Sequence, residues 1–273
     1  MNKSEYAGLV REELSAKGYE SFIEENYRNN CSKTAIRIKI PGSAVQPVFS
    51  FGDDEPSNPT EFVEYVLSNL SKDVSVEAEQ VMEIFHNKEE VLNRVNYILV
   101  NSEMNKAHKT ITRLKVNSTL ELQYKVDIND ICPGGRVVLT NDHLETLDID
   151  EEELFDRAYL NTMTTRPYKF DHISTFTGFE TPEVPMWILT NSKGINGAGV
   201  ILYKGMKNLI EAQLGEFIVI PSSVHEVIVM PAITDIDEIT AIIRNVNEMV
   251  VDPEDVLSDI PYALQSDGVL VEL

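Results

Sequence analysis

Short apolar runs separated by Gly, Pro and Ser set the character of residues 184–231. They fall at 184–190, 199–203, 217–220 and 227–231. Runs of this length without polar alternation predict strands buried on both faces. Helices are expected among and after them, at 204–214 and 235–249. In the second, Asp235 and Glu238 form a capping pair, and Ile239, Ile242, Ile243, Val246 and Met249 form one stripe. The expectation is a mixed or antiparallel sheet covered by these helices, with Trp187, Ile201, Phe217, Ile220, Ile228 and Ile242 in its core.

The first part of the chain reads more helically. Tyr6, Leu9, Val10 and Leu14 share a helical face within 3–16, and Gly18 ends it. Residues 34–40 alternate, placing Ile36, Ile38 and Ile40 opposite Arg37 and Lys39, which predicts a half-exposed strand. Asn58 and Pro59 start a helix over 58–70. Helical spacing continues through 75–86 and 88–100, making the middle of the chain helix-rich. The period then changes. Leu120, Leu122, Tyr124, Val126 and Ile128 predict a long strand over 114–128, pairing with 136–140 through a turn at 132–135. Asp150 caps a further helix, residues 161–183 read as an irregular linker, a short helix starts at Asp252-Pro253, and 269–273 form a terminal strand. The fold class is α+β, with a division expected between 1–110 and 111–273.

Composition narrows the partners. Of 273 residues, 45 are acidic and 23 basic, a formal charge of −22. That sign disfavours nucleic acid and anionic membranes as direct ligands. Residues 216–273 carry twelve acids and one basic residue, Arg244. Two cysteines, Cys31 and Cys132, form no metal or redox spacing. The first residues lack the apolar stretch of a secretory signal, and no run is long enough to span a bilayer, so a cytoplasmic location is expected. An acidic loop at 53–55 and the run 148–153 read as solvated charge, since neither has the ligand alternation of a calcium loop.

Few residues invite a chemical reading. The glycines of 194–199 join two apolar runs rather than a strand and a helix, so they predict a turn, with Asn196-Gly197 supplying positive φ angles, and no phosphate cradle. Ser223 and His225 are the weak catalytic candidates. They share a strand face if 221–226 is extended, while Glu226 points away, so an orienting carboxylate must come from elsewhere. His225 is expected to be satisfied structurally by its neighbours. The five histidines lack metal-ligand spacing, including His143 beside Asp142 and Glu145. No cofactor or metal site is expected.

The segments WILTN at 187–191, PSSVHEVI at 221–228, NDHL at 141–144, EEEL at 151–154 and PEDVLSD at 253–259 resemble an uncharacterised family of cytosolic proteins from gut-dwelling anaerobic Firmicutes and their mobile elements. The resemblance covers about 90–262. It implies one recurring α+β unit and no assigned reaction. Three functions follow for comparison. The first is a non-enzymatic intracellular protein acting through a protein partner, a basic one, engaged by Glu248, Asp252, Asp255 and Asp259. The second is an acidic inhibitor or nucleic-acid mimic that binds a basic defence or nucleic-acid-handling protein. The third is a hydrolase centred on Ser223 and His225.

Overall fold

The computed structural model of the chain describes residues 3–41, 46–52, 58–70, 74–177, 185–232 and 235–273. The acidic loop at 53–55 and Val184 lie outside them. The fold is α+β with three antiparallel sheets. Helix α1 (Lys3–Ala16) precedes a hairpin of β1 (Glu20–Arg28) and β2 (Cys31–Lys39), then β3 (Val48–Ser50) and α2 (Pro59–Leu70). Tyr6, Val10 and Leu14 of α1, Ile36 and Ile38 of β2, and Phe62, Val63 and Val66 of α2 close a small core of their own. β1 pairs with β2 along its whole length but buries no residue, so the apolar pattern was silent about it.

Helices α3 (Val74–Ile84) and α4 (Lys88–Arg94) lead into β4 (Val95–Asn101). This corrects the helix expected over 88–100. Every residue of β4 is buried, and a strand buried on both faces shows neither helical nor alternating spacing, so periodicity could not separate the two. The long strand expected over 114–128 is two strands. Asn117 Oδ1 accepts from the N–H groups of Thr119 and Leu120 at 3.0 and 2.8 Å, which reverses the chain. β5 (Arg113–Lys115) therefore folds back on β6 (Leu120–Asp127), with Leu114 opposite Leu122. β7 (Arg136–Val138) pairs with the far end of β6, and β4 takes its other edge. Residue 110 falls in a turn between β4 and β5, two strands of this four-stranded sheet.

Helix α5 (Asn141–Leu147) is followed by α6 (Glu151–Thr165), whose N-cap is Asp150, accepting from Glu153 N–H at 2.8 Å. α6 reaches into the region expected to be a linker. Thr162 and Thr165 return their hydroxyls to the carbonyls four residues back, at 2.6 and 2.8 Å, so the threonines stay helical. β8 (Tyr168–His172) and the short α7 (Ser174–Thr177) replace more of that linker, and β8 pairs with β9 (Trp187–Asn191).

The third sheet runs β13-β12-β10-β11-β9-β8 and includes β10 (Phe217–Ile220), β11 (Val227–Pro231), β12 (Tyr262–Leu264) and β13 (Leu270–Glu272). It is antiparallel throughout, and α8 (Met206–Leu214) and α9 (Ile236–Met249) accompany it. Three of the four apolar runs are strands. The fourth, Ala198–Leu202, is a 3₁₀ turn. Gly197 and Ala198 donate to the carbonyls of His225 and Val224 at 3.0 and 3.2 Å, so their amides serve a neighbouring loop. A Cβ on Gly197 would lie 2.3 Å from Thr190 Oγ1, so glycine is required there by close approach; the positive φ belongs to Asn196, at 51°.

Of the six expected core residues, Ile201 and Phe217 are buried, while Trp187, Ile220 and Ile228 are half-buried. Ile242 is 52% exposed, and Val246 and Met249 on the same stripe are also exposed. α9 meets its sheet through Ile239 and Ile243, packed with Ile218 and Met230. Its contact stripe is narrower than its apolar stripe. No helix follows Asp252-Pro253; a turn forms, in which Asp252 Oδ1 accepts from Glu254 N–H at 2.9 Å.

Leu122→Ala should therefore cost about 2–5 kcal/mol, whereas Ile242→Ala should cost less than about 0.5 kcal/mol. Denaturant unfolding of both variants checks this; equal losses would mean that α9 packs through a wider face.

Candidate functional site

The alternation of β6 places Leu120, Leu122, Tyr124 and Val126 in the main core. It gives the opposite face to Glu121, Gln123, Lys125 and Asp127. Such a polar face ordinarily meets water. Here it is covered, with Glu121 and Gln123 each only 4% exposed. Across the strand pairs, Ile98 lies opposite Gln123, Val138 opposite Lys125 and Arg136 opposite Asp127. Glu121 is paired with Arg113 at 3.3 Å and accepts from Gln123 at 3.1 Å, so that end of the face is neutralised internally.

Two distant segments form the cover: the tip of the β1–β2 hairpin and the stretch 252–256. Asparagines join them. Asn29 Nδ2 donates to the Glu254 carbonyl at 2.6 Å, and Asn30 Nδ2 donates to those of Pro253 and Val256 at 3.0 and 2.6 Å. Asn105, fully buried, donates to the side-chain oxygens of Asn29 and Asn30 at 3.1 and 2.9 Å, and accepts from Asn30 N–H at 3.1 Å. Asn30 holds φ at +60°, a conformation asparagine tolerates better than most residues. Lys33 pairs with Glu254.

Between floor and cover lies a cavity of about 300 Å³. Its lining includes the cationic Arg28, Lys125 and Arg136 and the apolar Ile98, Val100 and Val138, with Val138 directly opposite Lys125 on the sheet. Among the described residues, the three cationic side chains make no hydrogen bond or ion pair. Arg136 Nε is buried without a partner, as is Nε of Arg166. Arg166 is 2% exposed and reaches one carboxylate, Asp127, at 3.7 Å. Burial lowers the Lys125 ammonium to about 8, with the Arg136, Arg166 and Arg28 guanidiniums as further causes. His108, 6% exposed, also lines the cavity. Its ring packs on Tyr27 at 4.7 Å, and burial followed by the nearby Arg113 lowers its pKa.

Of the predicted site residues Asp255 alone lines this cavity, and Ser223 and His225 stand behind its wall without pairing as nucleophile and base. Residues 221–226 are a turn, which corrects the extended geometry assumed for them. Ser223 Oγ donates to Glu226 Oε1 at 2.8 Å and accepts from His225 N–H at 3.0 Å, and Ser222 reaches the same carboxylate at 3.1 Å. Glu226 thus turns back towards the serines. The His225 ring faces elsewhere: Nδ1 accepts from Asn196 N–H at 3.1 Å, and Nε2 lies 3.1 Å from Asp255 Oδ1. Asn196 and Asp255 both line the cavity, so His225 holds two pieces of its wall.

Asp255, grouped by sequence with an acidic face, is therefore tied inward. Glu248, Asp252 and Asp259 remain exposed, beside Met249 and Val250, which are 74% and 77% exposed. Asn247 donates to Asp259 at 2.8 Å. His143 closes a capping box with Thr140, its Nδ1 accepting from Thr140 N–H at 3.1 Å. Among the described residues, no three His, Cys, Asp or Glu side chains gather where they could hold a metal ion. No helix among them is long and apolar enough to cross a membrane. The sequence reading missed Lys125, Arg136, Arg28 and Arg166. Lys125 and Arg136 come to one sheet face once β6 and β7 are paired, while Arg28 of β1 and Arg166 at the end of α6 reach it only through the tertiary fold.

The chain belongs to DUF5688, a family of unknown function, whose profile matches residues 3–266. No curated protein and no solved structure matches the chain.

Because the Lys125 pKa is depressed on folding, the unfolded chain binds more protons between about 8 and the ordinary 10.5. Stability therefore contains a contribution that rises with pH across that window and is lost as pH falls through about 8. Lys125→Met should stabilise the protein at pH 7 by about 1–3 kcal/mol, with the gain shrinking towards pH 10. Unfolding of both proteins across this range checks it; a loss of stability at pH 7 would mean that the ammonium has a protein partner.

Proposed function

We propose that this protein binds a small anionic ligand in the cavity above β6. The observation that carries the reading is that three cations lining one cavity, Arg28, Lys125 and Arg136, have no partner among the described residues, in a chain whose formal charge is −22. Each could have found a carboxylate at the surface. Clustered without one, they repel each other, and Lys125 and Arg136 are partly desolvated while Arg28 stays exposed at the rim, which disfavours the empty state. A bound carboxylate or phosphate would relieve both costs, and a guanidinium offers planar paired donors to either. The apolar wall of Ile98, Val100 and Val138 suits a ligand with a carbon body and an anionic end. Cations surrounded by acidic surface also favour one or two anionic groups over a polyanion, which the remaining field would repel.

Inorganic phosphate is the probe that tests the reading. It should raise the thermal midpoint above that in chloride of equal ionic strength, by mass action on the folded state. Arg136→Gln should remove most of that difference. Equal midpoints in the two salts, or an undiminished phosphate effect in the variant, would contradict it.

A second reading, action through a basic protein partner, is favoured by the exposed Met249 and Val250 beside Glu248, Asp252 and Asp259. Apolar side chains rimmed by carboxylates suit a partner segment carrying both apolar and basic residues. The acidic-inhibitor reading is a special case of it. Glu248→Gln with Asp259→Asn should slow association with such a partner and flatten its salt dependence; an unchanged rate and salt dependence would return these acids to solvated surface. Ser223 and His225 are not needed in either reading.

A further inference from the structure

The anion site leaves one property of Lys125 unused: it is an amine without a partner, opening into a cavity rather than into solvent. We infer that Lys125 is a nucleophile that condenses reversibly with the carbonyl carbon of a small anionic aldehyde or ketone, such as a 2-oxo acid. The inference rests on the anion-binding reading and adds the substrate class.

The geometry supplies the parts such a step needs. Lys125 stands opposite Val138 on the sheet face, next along that face to the Arg136–Asp127 pair of positions. Arg136 and Arg28 line the same cavity and are without carboxylate partners, so they can hold the anionic end of the ligand. A lysine made a better nucleophile by burial and neighbouring cations is a general route to an activated amine. The charged or titratable groups around Lys125 are Arg136 on β7, Arg28 on β1, Arg166 at the end of α6, Asp127 on β6 itself, His108 before β5, and Glu254 and Asp255 in the cover. Glu254 is already paired with Lys33, and Asp255 with His225. Asp127 is shared with Arg166. The cationic neighbours therefore prevail, and burial lowers the amine to about 8. About a tenth of the amine is then neutral at pH 7, whereas an ordinary lysine is almost wholly protonated there.

The reaction balances without an oxidant or reductant. The neutral amine attacks the carbonyl carbon, forming a C–N bond and placing the electron pair of the C=O bond on oxygen. That oxygen takes up the two hydrogens that leave nitrogen and departs as water, giving the imine. His108 lines the same cavity with a ring that makes no hydrogen bond among the described residues, so it can relay a proton during this exchange.

The test uses the full chain with pyruvate as the probe and cyanoborohydride to reduce any imine, followed by digestion and mass spectrometry. Labelling at Lys125 should exceed that at an exposed lysine such as Lys106 by roughly tenfold or more at pH 7.5. Inorganic phosphate should suppress it. Lys125→Arg, which keeps the charge, should abolish the Lys125 adduct. Arg136→Gln should move the pH midpoint of labelling upwards, because it removes a neighbouring cation; a merely structural Arg136 would leave that midpoint in place. Labelling spread evenly over surface lysines, while phosphate still stabilises the protein, would overturn the nucleophile and leave the anion site standing. A Lys125 adduct unaffected by phosphate would overturn the shared site.

Discussion

A polar strand face can be buried only if its hydrogen-bonding groups find partners, and β6 is governed by that requirement. One of its faces is ordinary core. The other carries Glu121, Gln123, Lys125 and Asp127 beneath the hairpin tip and the 252–256 stretch. At one end the requirement is met by Arg113, Glu121 and Gln123 bonding to each other. At the other it is not met: among the described residues Lys125, Arg28 and Arg136 are without partners, and Arg166 has a single distant carboxylate. The cover is held by amide hydrogen bonds centred on Asn29, Asn30 and Asn105. These groups are neutral, so the clasp closes the cavity without neutralising its cations.

This arrangement joins the two cores of the molecule. The hairpin belongs with the small core of α1 and α2, while β6 and Leu257, next to the 252–256 stretch, belong with the main core. A ligand touching Arg28, Lys125 and Arg136 would bridge both. His225 contributes at one remove, fixing Asn196 and Asp255 through its two ring nitrogens. The segment that stood out most in the sequence, 221–226, thus shapes the wall of the cavity.

How much of this was legible beforehand depended on which signal a residue carried. The apolar stripe of β6, the capping of α6 by Asp150 and the strands at 217–220 and 227–231 were readable because burial and period coincide there. β4 was not, since full burial erases its alternation. β1 was not, since it buries nothing. The narrow footing of α9 on Ile239 and Ile243 is set by its packing on Ile218 and Met230, which spacing along the helix does not encode. The candidate site was hidden for a related reason: Glu121, Gln123, Lys125 and Asp127 look like a solvated face. Only the tertiary cover converts that face into a cavity floor. Arg28 and Arg136 lie 97 and 11 positions from Lys125 in the sequence, and no local motif connects them.

The central claim is that Lys125 is a desolvated, partnerless amine in an anion-binding cavity. Direct titration of the lysine side chains by NMR, with and without inorganic phosphate, tests it most directly. Lys125 should titrate near about 8 in chloride, and phosphate should raise that value, because a bound anion favours the protonated amine. Titration at the ordinary 10.5, indifferent to phosphate, would contradict the account.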